Sequence, residues 1–121
     1  MYSVLSASFL FYLFMLSPFL PIRVSVSALG DNPECWIGRR VTVRGRLSFG
    51  FCSIPEQRLP FNYLLRDLCA GKSVGVLLDE GSYSLDGRNV TVVGVVKKGY
   101  TGPLIVRPMY YIAAEKARMT D

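Results

Sequence analysis

The sequence predicts an all-β domain: five short strands closing into a small antiparallel barrel, preceded by an N-terminal hydrophobic signal or anchor helix. Three observations predict it. From Arg40 to Phe49 the chain alternates, with Val41, Val43, Gly45, Leu47 and Phe49 on one face and Arg40, Thr42, Arg44, Arg46 and Ser48 on the other. Period two with β-branched residues is a half-buried strand. Forty-nine residues later the chain nearly repeats itself: "VTVRGRL" (41–47) becomes "VTVVGVV" (90–96), and with Arg39 and Arg88 included five of nine aligned positions are identical. The third observation is that Val4 to Ile22 is a run of nineteen uncharged residues.

That run comes first in the chain. At about 1.5 Å per residue it approaches the thickness of a bilayer core, about 30 Å. Pro18 and Pro21 break its far end, and "VSVSALGD" follows. Val26 and Ala28 are small residues at the −3 and −1 positions of a signal-peptidase site, so the favoured reading of 1–28 is a secretory signal cleaved after Ala28. The alternative is an uncleaved anchor. The opening "MYS" holds no Lys or Arg, and the nearest charge, Arg23, lies on the C-terminal side. The positive-inside rule then places the domain on the cytoplasmic face. Either way the protein is expected to be exported or membrane-anchored, with the membrane as a partner.

The first strand, Arg40 to Phe49, runs into "SFGFCSIPEQRLPF", a loop punctuated by Gly50, Pro55 and Pro60. "FNYLLRDL" (61–68) is the second strand, "CAGK" a tight turn with Gly71 free to take positive φ, and "SVGVLL" (73–78) the third strand. "DEGSYSLDG" (79–87) is polar and too short for more than one helical turn. Asn89 to Val96 is the fourth strand, "KKGYTGP" the next turn, and Leu104 to Ile112 the fifth strand, where Pro108 signals an edge or a bulge. "AAEKARMTD" is a short terminal helix or a frayed tail, 116–121 being assigned to the tail.

With no room for crossover helices, five short strands make a barrel or sandwich. The repeated strands play equivalent parts. Each carries a central glycine, Gly45 or Gly94, where a strand that curls to close a small barrel needs a residue without Cβ. The valines line the interior, the arginines of the first copy face solvent or a ligand, and Val93 and Val95 imply that the matching face of the second copy is covered.

Composition narrows the chemistry. Histidine is absent, which removes the commonest general base and metal ligand and excludes Ser-His-Asp and Cys-His sites. There is no Cys-x-x-Cys and no aspartate-rich calcium-loop spacing, so no metal and no cofactor are expected. Fourteen Lys and Arg against nine Asp and Glu give a formal charge of +5, which suits an anionic partner. Half of the residues are hydrophobic and mean hydropathy is +0.30, the excess residing in the N-terminal run. No catalytic constellation is present, and the protein reads as a non-enzymatic module.

The order of a strand with central glycine ("VTVRGRL"), an aromatic strand and hairpin ("FNYLLRDLCAGKSVGVLL"), a second glycine strand ("DGRNVTVVGVV") and a closing strand ("GPLIVRPMYYIAA") resembles the OB-fold, in the group related to nucleic-acid-binding anticodon-type domains. The resemblance covers residues 36–115. It departs from the usual pattern in leaving no room for a helix between the third and fourth strands. Such barrels bind across strands two and three and the flanking loops, with aromatic rings stacking bases and cations holding the backbone. It therefore implies a ligand-binding set of Arg40, Arg44 and Arg46 on the first strand, Phe61 and Tyr63 on the second, Lys97, Lys98 and Tyr100 in the turn before the fifth, and Arg107 on the fifth. The implied ligand is nucleic acid or another anionic polymer. A protein partner in a membrane-associated or exported assembly is the alternative.

Cys35, Cys52 and Cys69 are spaced seventeen apart, so at most one internal pair forms. Cys35 precedes the first strand and Cys69 follows the second, which places both at one end of the barrel. In an exported domain Cys35–Cys69 is the expected disulfide, worth about 3–4 kcal/mol by chain entropy, with Cys52 the spare thiol. A cytosolic-facing domain would keep all three reduced.

Overall fold

The structure of the protein is a computed structural model, and it describes residues 20–50, 57–69, 71–79 and 84–120. Among these residues the main elements are, in order, β1 (Ile22–Arg23), α1 (Val26–Asp31), a 3₁₀ turn (Pro33–Trp36), β2 (Arg40–Phe49), β3 (Tyr63–Arg66), β4 (Ser73–Leu77), β5 (Asn89–Tyr100) and β6 (Pro108–Met119). The strands form one sheet in the order β1-β2-β3-β4-β6-β5, and β2 also pairs with β5. Five strands, β2 to β6, thus form a closed ring, and β1 is added beside the start of β2.

The two repeated segments pair with each other. The β2–β5 ladder is antiparallel, with Val41 opposite Gly94, Val43 opposite Val92 and Gly45 opposite Val90. Each glycine also meets a third strand. A Cβ on Gly45 would lie 2.5 Å from the Arg66 carbonyl oxygen of β3, and one on Gly94 would meet Ala113 O and Ala114 Cα of β6. The β5–β6 register shifts between Val93 and Gly94, a bulge that lets β5 bend. The glycines therefore stand where a neighbouring backbone presses close.

The ring is mixed rather than antiparallel, because β4 and β6 run parallel, as do β1 and β2. The expectation of a purely antiparallel sheet fails on parity: alternating directions cannot close an odd-numbered ring, so one parallel contact is unavoidable. Strand limits differ too. The fourth expected strand continues to Tyr100, and the fifth begins at Pro108 and runs to Met119. Pro108 is tolerated as a first strand residue. The segment assigned to a tail or helix is strand, since pairing along β5 outweighs the helix preference of Ala, Glu, Lys and Arg. The second strand is shorter than expected, Tyr63–Arg66.

Alternation along β2 and β5 fills the interior. Val41, Val43, Leu47, Tyr63, Leu65, Val76, Val90, Val92 and Ile112 are each no more than 1 % exposed. The hairpin between β3 and β4 turns through Gly71 at φ 71°, with Asp67 N–H donating to Lys72 O at 2.7 Å. Asn62 ties the loop before β3 to β4: its Nδ2 donates to Leu78 O at 2.7 Å, and Leu78 N–H donates to its Oδ1 at 2.9 Å.

Residues ahead of the expected barrel belong to the fold. Val24 N–H donates to Thr42 O at 3.0 Å, and Ser25 caps α1 by accepting from Ala28 N–H at 3.0 Å. Val26 and Leu29, three apart on one helical face, are 1 % and 2 % exposed and join the core cluster. Asp31 pairs with Lys72 at the start of β4. The helix α1 packs on β2 and β4. The expected cleavage point after Ala28 falls inside α1. Among the described residues no helix is long and apolar enough to cross a membrane, and most of the Val4–Ile22 run lies outside them.

Candidate functional site

On the outer face of the sheet the registers align side chains into two rows. Arg23 lies beside Thr42, Thr42 beside Val93, and Val93 beside Lys116. Arg44 lies beside Thr91, and Thr91 beside Arg118. Strands stand about 4.8 Å apart and alternate residues about 6.7 Å apart, so the four cations frame a patch on the order of 10 Å across.

This patch is the wall of a groove of about 980 Å³, lined among others by Pro21, Arg23, Thr42, Arg44, Thr91, Lys116 and Arg118. Val93, 8 % exposed, lies at its base. The expectation that this face of the second repeat is covered holds at Val93, while Val95 is only half-buried. The groove's one carboxylate is Asp67, whose Oδ2 accepts from Ser27 Oγ at 3.0 Å and whose Oδ1 accepts from Cys69 N–H at 2.9 Å. Among the described residues no ion pair engages Arg23, Arg44, Lys116 or Arg118. Four exposed cations against one occupied carboxylate make a surface that attracts anions, and the hydroxyls of Thr42 and Thr91 between them can donate to a bound oxyanion.

The nine residues expected to bind ligand do not form one site. Arg44 is in the groove. Arg40 is bound to Glu115 Oε2 at 2.6 Å. Arg46 donates from Nε to Gly87 O at 3.2 Å. Phe61 and Tyr63 are core residues, 6 % and 1 % exposed, so the expected stacking role fails for both. Phe61 packs against Gly75, and Tyr63 stacks on Phe49 with ring centroids 4.8 Å apart. Tyr63 opens the four-residue β3 and Phe61 lies two residues before it, so alternation gives little sign of which face points inward.

Lys97, Lys98 and Tyr100 extend β5 rather than forming a turn, and Arg107 closes the loop that follows. Lys98 lies 3.7 Å from Glu34 and over the Tyr110 ring. The Tyr110 hydroxyl donates to Glu34 Oε1, and this hydrogen bond, then desolvation and the Glu34 charge, holds the phenol above its ordinary pKa. Arg107 N–H donates to Thr101 Oγ1 at 3.0 Å. Within this loop Leu104, Ile105 and Val106 are exposed while Gln57 grips the backbone, accepting from Leu104 and Ile105 N–H at 3.1 Å and donating to Ile105 O at 2.7 Å.

Arg23, Lys116 and Arg118 escaped the sequence reading. The signal for the last two is the alternation of "EKARM", visible only once that segment is taken as a strand. Cys35 and Cys69, the expected disulfide pair, are free and exposed thiols in this structure. Cys69 lines the groove, whereas Cys35 sits in the 3₁₀ turn that meets Lys98 and Tyr110 through Glu34, so their surroundings differ. Cys52 lies outside the described residues. The chain matches no protein-family model, no curated protein and no solved structure.

Proposed function

We propose that the protein is a non-enzymatic, OB-like binding module held at a membrane, and that its basic groove binds an anionic, phosphate-bearing ligand. The OB-like reading is supported by the closed five-strand ring, with its β2-β3-β4-β6-β5 order and its single parallel contact inside the ring. The ligand reading rests on one observation. The β2–β5–β6 registers, with β1 at the edge, gather Arg23, Arg44, Lys116 and Arg118 around one groove with no ion-pair partner among the described residues.

Of the two fates expected for the N-terminal run, retention has the better support. Cleavage after Ala28 would remove β1 and Val26, and Val26 belongs to the core.

The test uses the full chain in a neutral detergent on a phosphate-bearing polyanion matrix. Retention at low salt that falls with a log–log slope of about −3 supports the reading, as expected for four released counterions. Arg44→Ala with Arg118→Ala elutes earlier while keeping the folded spectrum. Flow-through at low salt contradicts it.

A second reading, a protein-partner module, is favoured by Leu104, Ile105 and Val106, three consecutive exposed aliphatic residues on a loop gripped by Gln57. Loss of partner capture on Ile105→Asp, with polyanion retention unchanged, would support it.

A further inference from the structure

We propose that the phosphates taken by the groove are the head groups of anionic phospholipids in the membrane that the N-terminal run enters. This rests on the groove reading above and names its ligand. Three observations carry it.

The groove begins where the apolar run ends. Val4 to Ile22 holds no charge, Ile22 pairs with Val41 at the start of β2, and Pro21, Arg23 and Val24 already line the groove. Only Leu20, Pro21 and Ile22 separate Phe19 from Arg23, a reach of about 14 Å fully extended. A membrane surface at the end of the run is therefore within about two Debye lengths, each about 8–10 Å, of Arg23 at the groove's edge.

The link between run and groove is tied down. β1 pairs with β2, Val24 N–H donates to Thr42 O at 3.0 Å, and Val26 and Leu29 are buried in the core. The groove cannot swing freely away from the point where the run departs.

The sign of the charge suits one leaflet. Arg23 directly follows the run. A cation directly after a retained anchor favours the cytoplasmic face for the domain, where anionic lipids give the surface a negative potential.

Each Lys or Arg at such a surface contributes about a five-fold factor in affinity. The test takes the full chain in neutral detergent micelles and follows its thermal midpoint as lipid is doped in. Phosphatidylglycerol is expected to raise the midpoint by about 5 °C at ten times its apparent Kd, and phosphatidylcholine to leave it unchanged. Arg44→Ala with Arg118→Ala should weaken the phosphatidylglycerol effect about 25-fold without moving the midpoint in phosphatidylcholine. Glycerol phosphate and a fluorescent oligodeoxythymidine serve as the free-phosphate and nucleic-acid arms. Either one binding saturably, with no response to phosphatidylglycerol, overturns the lipid inference and leaves the groove reading standing. A phosphatidylglycerol shift that survives the double substitution places the lipid elsewhere and also overturns it. If no anion binds at all, the groove reading falls with it.

Discussion

Gly45 and Gly94 hold equivalent places on one antiparallel ladder, each opposite the leading valine of the other's strand: Gly45 faces Val90, and Gly94 faces Val41. The repeat written twice in the sequence is thus a local two-fold pair centred on Val43 and Val92. Each glycine admits a third strand, β3 at Gly45 and β6 at Gly94. At Gly94 the β5–β6 register also shifts, between Val93 and Gly94.

Substitution of either glycine by alanine should therefore destabilise the fold. In an ordinary strand the change is neutral or favourable, because glycine weakens a strand interior. Here the added methyl meets backbone, Arg66 O at Gly45 and Ala113 O at Gly94, and backbone gives way poorly. Overpacking of this kind costs about 1–3 kcal/mol. Chemical denaturation of each variant checks it, and an unchanged or raised midpoint would show that β3 and β6 do not press on these sites.

The helix α1 should behave as core, not as a discardable leader. Leu29→Ala is expected to cost about 2–5 kcal/mol, and Val26→Ala less because fewer methylene groups are removed. A chain beginning at Leu29 should be less stable than one beginning at Leu20, measured by thermal unfolding. Equal stability would mean that β1 and the first turn of α1 contribute nothing to the fold.

Arg40→Ala should change stability by less than about 1 kcal/mol. Its ion pair with Glu115 is partly exposed, the two side chains being 31 % and 43 % accessible, so screening takes most of its worth. The same substitution should leave polyanion retention close to that of the parent chain, because this arginine is already engaged. A large loss of retention would move the site toward the start of β2.

Tyr110 provides a pH prediction. Its hydrogen bond to Glu34 raises the phenol pKa above the ordinary value of 10.0 in the folded state. The folded state then holds that proton more tightly than the unfolded one. The associated stability is complete below the ordinary tyrosine range and is lost as pH rises through the raised value. Glu34→Gln removes the charge, and alkaline titration of phenolate absorbance should show one tyrosine moving back toward the ordinary range. Superimposable curves would dismiss the contact.

Much of this fold was legible from period two alone. Val41, Val43 and Leu47 point inward as the alternation required, and the two glycines stand where a third strand presses on their backbone. The last strand was hidden because "AAEKARM" has the composition of a helix, and only pairing with β5 overrides that preference. Two of the four groove cations lie on it, so the site was hidden with it. "VSVSALGD" satisfied the small-residue rule for cleavage, yet the same spacing puts Val26 and Leu29 on one helical face. Phe61 and Tyr63 suggest a stacking platform because aromatic residues serve both core and surface, and with Phe61 ahead of the four-residue β3 too few alternations remain to decide.

The most direct test is to map where an anion binds. Backbone amide shifts of the full chain in neutral micelles would be followed as short-chain inorganic polyphosphate is added. Saturable shifts at Arg23, Thr42, Arg44, Thr91, Lys116 and Arg118 are the expected result. Shifts confined to Lys97, Tyr100 and the 101–107 loop, or none at all, would contradict the groove as the binding site.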